Sequence, residues 1–317
     1  MYSSSWLIVA LSTLSSCLAT PLAMGRRTVT SLSTAQFSSF APYTQFARAA
    51  YCDGFQDWTC GAACDANADF EVSLAGGDDS DIQNYFVGFS PSLSSIIVAH
   101  EGTDPDSNNH IVLSLGAGTD PLQLESDLTD VEVLLASLDT SLFPGISSSV
   151  QVHDGFKNEH AKTASVILAE VRTLMASKNT QNVMAVGHSL GGALAELDVL
   201  FFALNLPSGS NISAVTYGTP RVGNPAFASL IDQHVPSFKH INNEKDLIPI
   251  VPGRFLGYAH PAGEIHIISP GNVVLCSGDD DATDSQCIID TVPNIFEGDI
   301  LNHLGPYDGI SIGTLAC

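Results

Sequence analysis

Basic residues are scarce in this chain. Eleven Lys and Arg stand against 34 Asp and Glu in 317 residues, for a net charge of -23 and a pI of about 4.4. A field of that sign argues against nucleic acid as a partner and repels anionic membrane surfaces, but it does not repel a neutral or oily molecule. Long apolar runs are also missing. Beyond the N-terminus no stretch is long enough to cross a bilayer, which argues against stable membrane insertion. The one apolar run near the start, Trp6 to Leu18, is too short for a span and ends in Cys17-Leu18-Ala19, a small-x-small cleavage pattern. Residues 1–19 are therefore read as a secretory signal, although no Lys or Arg precedes the run. Arg26-Arg27 reads equally as a dibasic site closing a propeptide at 20–27 or as a solvated charge pair. The remainder, 28–317, is expected to be a single α/β domain, secreted, extracellular and monomeric. Its 44% hydrophobic residues supply a substantial core.

Seven cysteines become six once Cys17 leaves with the signal. An even number in a secreted chain implies disulfides rather than a zinc site. Proximity favours Cys60–Cys64 and Cys276–Cys287, leaving Cys52 with Cys317, but six cysteines allow fifteen pairings and spacing alone does not choose among them. Asn211-Ile212-Ser213 is the one glycosylation sequon, in a Pro/Gly/Ser loop.

Apolar periodicity predicts helices over 37–50, 131–138 and 160–177. Tyr85–Phe89 and Ser95–His100 read as a hairpin, and strands are expected at 182–186, 213–217 and 237–242, with a further hairpin over 263–269. Strands alternating with helices in the middle of the chain imply a mostly parallel central sheet covered on both faces. Gly102-Thr103-Asp104-Pro105 recurs as Gly118-Thr119-Asp120-Pro121, with residues 106–117 unlike either flank. The insert reads as a loop or lid, Ile111–Leu115 forming its apolar face, or as an artefact such as a retained intron.

Between the strand ending at Val186 and an Ala-rich helix lies Gly187-His188-Ser189-Leu190-Gly191-Gly192. A strand-to-helix turn of this kind holds the serine hydroxyl out from the sheet, with the helix N-terminus beside any negative charge that forms there. The bland reading is a glycine-rich turn with an idle serine. A serine nucleophile needs a base and a group to orient it, in the order Ser, Asp or Glu, His on this type of sheet. Asp246 follows the strand at 237–242 and precedes a rigid Pro-containing segment. Asp279, Asp280 and Asp281 read as a solvated acidic turn, and Asp232 as a helix-surface residue. Among the downstream histidines, His303 near the C-terminus is the candidate base, while His260 and His266 flank a hairpin and read as structural.

These residues resemble the secreted fungal lipases of class 3, α/β-hydrolases that include feruloyl esterases. The motifs are Ala49-Ala50-Tyr51-Cys52, Val152-His153-Asp154-Gly155-Phe156, the GHSLGGALA run at 187–195, Tyr217 to Asn224, Asp246-Leu247-Ile248-Pro249 and His303-Leu304. The resemblance implies the α/β-hydrolase fold, with Ser189 as nucleophile, Asp246 as orienter and His303 as base. It also implies the Cys52–Cys317, Cys60–Cys64 and Cys276–Cys287 pairing. It further implies an oxyanion hole from Thr103 and the N–H of Leu190. Here the chain departs from the family, carrying Glu101 where Arg is usual, and the repeat leaves Thr119 as a rival to Thr103. The expected activity is ester hydrolysis on acylglycerols at an oil-water interface, with no cofactor or metal. A feruloyl esterase is the alternative, since Leu122-Gln123-Leu124 is similar to the fixed polar flap of those enzymes. A non-catalytic acyl-binding protein on the same fold is the reading from a different class.

Overall fold

The structure is a computed structural model that describes residues 29–78, 81–103, 134–280 and 284–317. The expected signal and propeptide, the insert at 106–117, Thr119 and Leu122–Leu124 lie outside the described residues. A nine-stranded sheet organises the chain. Its strands are β1 (Thr30–Ser31), β2 (Glu71–Gly76), β3 (Tyr85–Ser90), β4 (Ser95–His100), β7 (Asn182–His188), β8 (Asn211–Tyr217), β9 (Lys239–Asn243), β10 (Glu264–Ser269) and β11 (Asn272–Leu275). They lie in the order β1-β11-β10-β9-β8-β7-β4-β3-β2. The inner strands from β4 to β10 pair in parallel, and the outer ones are antiparallel. Two short strands, β5 (Leu135–Ser137) and β6 (Gln151–His153), form a separate ladder.

The sheet is buried from both sides, so its centre reads as apolar runs instead of alternation. All six residues of β4 are buried. On one face Val98, Ala185 and Ala214 join a core shared with two long helices, α4 (Asp154–Lys178) and α5 (Leu190–Asn205). On the other, Ile97, Val186, Val215 and Ile241 pack against Phe46 and Ala47 of α2 (Ala41–Ala49). The short helices α1 (Thr34–Ser38), α3 (Ala62–Asp65), α6 (Pro225–His234) and α7 (Ile288–Thr291) complete the cover.

Helix predictions fail where a local device overrides periodicity. The rhythm over 37–50 splits into α1 and α2 because Pro42 starts a new helix in its first turn. The helix expected from residue 160 begins at Asp154, because His153 Nδ1 accepts the N–H groups of Gly155 (3.1 Å) and Phe156 (3.4 Å) as an N-cap. The helix expected over 131–138 is not formed in its described part. Residues 135–137 pair as β5 with β6, so ladder hydrogen bonds won over a weak helical spacing.

The six cysteines among the described residues are bridged, as Cys52–Cys317, Cys60–Cys64 and Cys276–Cys287. The first joins residues 265 apart, the largest loop-closure constraint available to this chain, worth up to about 5 kcal/mol in the chain-entropy model.

Helix α5 is buried from Leu190 to Phe202, and two of its buried residues are acidic. Asp198 accepts from His100 Nε2 at 2.7 Å and His160 Nε2 at 3.0 Å, tying β4 and α4 to the helix. Burial alone would raise its pKa, but the charges and hydrogen bonds of His100 and His160 hold it below the ordinary carboxylate value. Glu196 has no such partners. It is wholly buried and neither carboxyl oxygen makes a hydrogen bond among the described residues. Burial, reinforced by the charge of Asp232, pushes its pKa well above 4.5. A proton kept in the fold but lost from the unfolded chain makes stability fall as pH rises above about 4.5 toward the folded pKa. Glu196→Gln removes that dependence, so its melting temperature at pH 8 is expected to exceed wild type by about 3 °C or more. At pH 4 the two should coincide. Thermal melts at both pH values check this, and an equal shift at both would contradict it.

Candidate active site

The central parallel strands end on one side of the sheet, and the predicted site residues gather there. Ser189 joins β7 to α5 with φ 57° and ψ -126°, a positive-φ geometry that costs a non-glycine residue about 1–3 kcal/mol. Its N–H donates to the Tyr217 carbonyl at 2.9 Å, anchoring the turn to the end of β8. The first turn of α5 lies against the end of β4. A Cβ added at Gly191 would come within 2.3 Å of the His100 carbonyl oxygen, so only glycine allows this approach.

Asp246 and His303 meet as expected, although 57 residues separate them. Asp246 is fully buried in the loop after β9, and its Oδ1 accepts the Ile248 N–H at 2.9 Å. Its Oδ2 faces His303 Nδ1 at 2.9 Å. A carboxylate only accepts, so Nδ1 carries the proton and the lone pair of the imidazole sits on Nε2. That Nε2 is buried and makes no hydrogen bond among the described residues. The end of β8 runs directly beneath the pair. A Cβ built on Gly218 would be 2.7 Å from His303 Nδ1 and 2.8 Å from Asp246 Oδ2. The same loop thus touches the carboxylate–imidazole pair and, through Tyr217, the serine turn.

Gly102 and Thr103 leave β4 beside the serine. The Gly102 backbone is close enough that a Cβ there would lie 3.0 Å from the Ser189 Cβ. Thr103 Oγ1 is buried and makes no hydrogen bond among the described residues. Leu190 is the first residue of α5, where an N–H has no carbonyl within its own helix to bond. The arrangement can therefore combine a positioned hydroxyl, a bare imidazole nitrogen held by a carboxylate, and helix-terminal donors for a developing oxyanion. Asn211 is exposed at the start of β8, with its Nδ2 3.1 Å from Asn182 Oδ1, far along the sheet from this end.

Sequence reasoning passed over several residues that hold the site. Arg221 is almost completely buried and donates to the carbonyls of Ile250 and Pro252, bracing the segment after Asp246. Its partner is Asp280, bound bidentately at 2.6 and 3.1 Å. The reading of Asp280 as a solvated turn residue is therefore corrected: its side chain is 5% exposed because the guanidinium requires a desolvated counter-charge. Asp232 is half-buried, accepting the Ala262 N–H at 2.8 Å, rather than a plain helix-surface residue. His260 and His266 are structural as read, each bonding a backbone carbonyl, Pro249 and Glu244 respectively, at 2.8 Å. On the far side Asn302 bonds Lys245 N–H at 3.2 Å while its carbonyl accepts from Asn243 at 2.9 Å, fastening the His303 loop to the Asp246 loop. A lone Asn or Asp carries no sequence pattern that would reveal such a role.

Known proteins are similar to this chain in sequence and fold. The family model described as Lipase (class 3) matches residues 118–256. The secreted mono- and diacylglycerol lipase LIP2 of Malassezia restricta is 32% identical over 213 residues, covering 64% of this chain and 67% of the relative. Among solved structures, the Rhizomucor miehei lipase propeptide complex superposes with a TM-score of 0.74 at 25% identity, over 91% of this chain and 85% of that one. A triacylglycerol lipase whose catalytic centre is formed by a serine-protease triad gives 0.72 at 25% identity, over 90% and 99%.

Proposed function

From the premise that the chain belongs to the fungal class 3 lipases and is a carboxylic-ester hydrolase, we propose that it cleaves acylglycerols through Ser189, His303 and Asp246. The observation that carries this reading is the buried Asp246–His303 pair, its bare Nε2 on the same side of the sheet as the strained Ser189. Ser189 Oγ attacks the ester carbonyl as its proton passes to His303 Nε2. The N–H groups of Thr103 and Leu190 hold the oxyanion, and the imidazolium then returns the proton to the leaving alcohol. A water, deprotonated by the same nitrogen, attacks the acyl-enzyme and releases the fatty acid. Asp246 keeps the Nδ1 proton in place throughout and stabilises the imidazolium. Each step uses only groups of the chain and water.

Large apolar side chains exposed on the segments that carry these residues support an oily substrate. Leu301 and Leu304 share the short helix of His303, and Phe255 and Leu256 follow the Asp246 segment, with Phe255 90% exposed. Solvent-exposed apolar groups gathered beside a site mark a contact surface. The protein acts outside the cell, following its signal-like N-terminus and its secreted relatives, as a single domain over 28–317 and as a monomer. The exposure of Asn211 supports a glycan there.

The test compares emulsified diacylglycerol and triacylglycerol with methyl ferulate as substrates. Acylglycerol hydrolysis is expected to exceed that of the ferulate ester by about 100-fold in kcat/KM, about 2.7 kcal/mol of differential transition-state binding. Preference for methyl ferulate, with no rate increase above the solubility limit of the acylglycerol, would overturn the substrate assignment.

A further inference from the structure

His188, the residue just before Ser189, is spanned by two hydrogen bonds that the reaction above does not use. Its Nε2 lies 2.8 Å from the backbone carbonyl of His303, and its Nδ1 lies 2.8 Å from the hydroxyl of Tyr51. The ring overlaps that of His303, with centroids 4.4 Å apart and planes tilted by 32°. A carbonyl only accepts, so Nε2 carries the proton, and in a neutral ring Nδ1 then accepts the Tyr51 O–H. The chain of donors therefore runs in one direction: Tyr51 hydroxyl to His188, His188 to the main chain of His303. Tyr307 donates to the same carbonyl at 2.9 Å, filling its second lone pair.

We propose that Tyr51 and His188 are positioning residues of the catalytic base, holding the His303 main chain against the serine turn through a neutral, tautomer-fixed imidazole. The inference rests on the assignment of His303 as base. Three features of the geometry carry it. The pair links the three pieces that must stay in register: the Tyr51 hydroxyl is so close to Gly102 that a Cβ there would lie 2.1 Å from it, His188 is covalently next to Ser189, and His303 carries the base. His188 is 2% exposed and Tyr51 7%, so no solvent competes for these bonds. Finally, the bonds go to the His303 main chain and leave its imidazole free for Asp246, so they constrain position without consuming chemistry.

The device needs His188 uncharged. Its titratable surroundings are Tyr51 after α2, and His303 and Tyr307 from the C-terminal catalytic loop. Burial, with the charge of His303 as a smaller contribution, keeps the His188 pKa well below 6.5.

The experiment measures kcat, KM and the pH profile of a soluble p-nitrophenyl ester for Tyr51→Phe, His188→Gln, His188→Leu and Ser189→Ala. Tyr51→Phe should lose about 10-fold in kcat with KM unchanged within twofold. The acid limb of its kcat/KM profile should stay a one-proton limb, because burial holds the His188 ring uncharged with or without Tyr51. Gln presents an amide donor near the place of Nε2 and never titrates. His188→Gln should therefore keep at least about 10-fold more kcat than His188→Leu, with a one-proton acid limb. A merely structural role would lower melting temperature without separating the Gln and Leu variants in kcat. Wild-type kcat in Tyr51→Phe, or equal kcat in the Gln and Leu variants, would overturn the proposal. Full hydrolysis by Ser189→Ala would instead remove the triad on which it rests, and a dead Ser189→Ala with unaffected Tyr51 and His188 variants would overturn the positioning claim alone.

Discussion

Ser189→Ala is expected to lower kcat on any ester substrate by roughly 10⁵- to 10⁶-fold while leaving the fold intact. The size of the loss follows from the division of labour at the site. The oxyanion donors and the binding surface survive the substitution, but no covalent intermediate forms, and water must replace a hydroxyl held in one orientation. Stability should hold or rise slightly. Alanine removes the hydroxyl but keeps the Cβ, so the strain at φ 57° remains and only local solvation changes. Progress curves at high enzyme concentration, read with a thermal melt, separate a dead site from an unfolded protein. Retention of more than about 1% of wild-type kcat would be too much for a triad without its nucleophile.

Asp246→Asn is expected to cost about 10⁴-fold in kcat, by a different route. The two carboxylate oxygens of Asp246 both accept: one from Ile248 N–H, the other from His303 Nδ1–H. An amide offers one acceptor and one donor. If its oxygen keeps the bond to Ile248, its NH₂ faces His303 Nδ1, which must give up its proton. The imidazole then carries hydrogen on Nε2, the nitrogen that has to receive the serine proton. If the amide turns over, its NH₂ meets the Ile248 N–H in a fully buried loop, and an unmade bond there costs about 1–3 kcal/mol. Either arrangement impairs the base. The measurement is kcat/KM with a soluble ester, with the melting temperature as control. A fall of less than 10-fold would show that His303 keeps its tautomer without the carboxylate.

Most of the core architecture was legible in the sequence because its strands are covered on both faces and read as unbroken apolar runs. β4, β7 and β8 were located within about two residues, and the turn at Ser189 announced itself by glycines on both sides of a strand-to-helix junction. Asp246 and His303 could be assigned from chain order and from resemblance, since strand ends on one side of a parallel sheet are where such loops converge. What was not legible depended on pairs distant in sequence. Asp280 looked like one member of an exposed acidic run until Arg221, 59 residues away, was seen to neutralise it inside the protein. The start of α4 lay hidden in a histidine used as an N-cap, a residue type outside the usual capping set. His188 was visible as a letter of the motif, but its two hydrogen bonds reach residues 137 and 115 positions away, and no local pattern encodes them.

Covalent capture of the nucleophile tests the central claim most directly. The purified protein is treated with a fluorophosphonate ester, and the adduct is mapped by peptide mass spectrometry alongside residual ester hydrolysis. The account predicts one phosphonate per chain, on the peptide containing Ser189, formed in step with complete loss of activity and absent in Ser189→Ala. Inactivation accompanied by an adduct elsewhere, or a folded and active protein that leaves Ser189 unmodified, would contradict it.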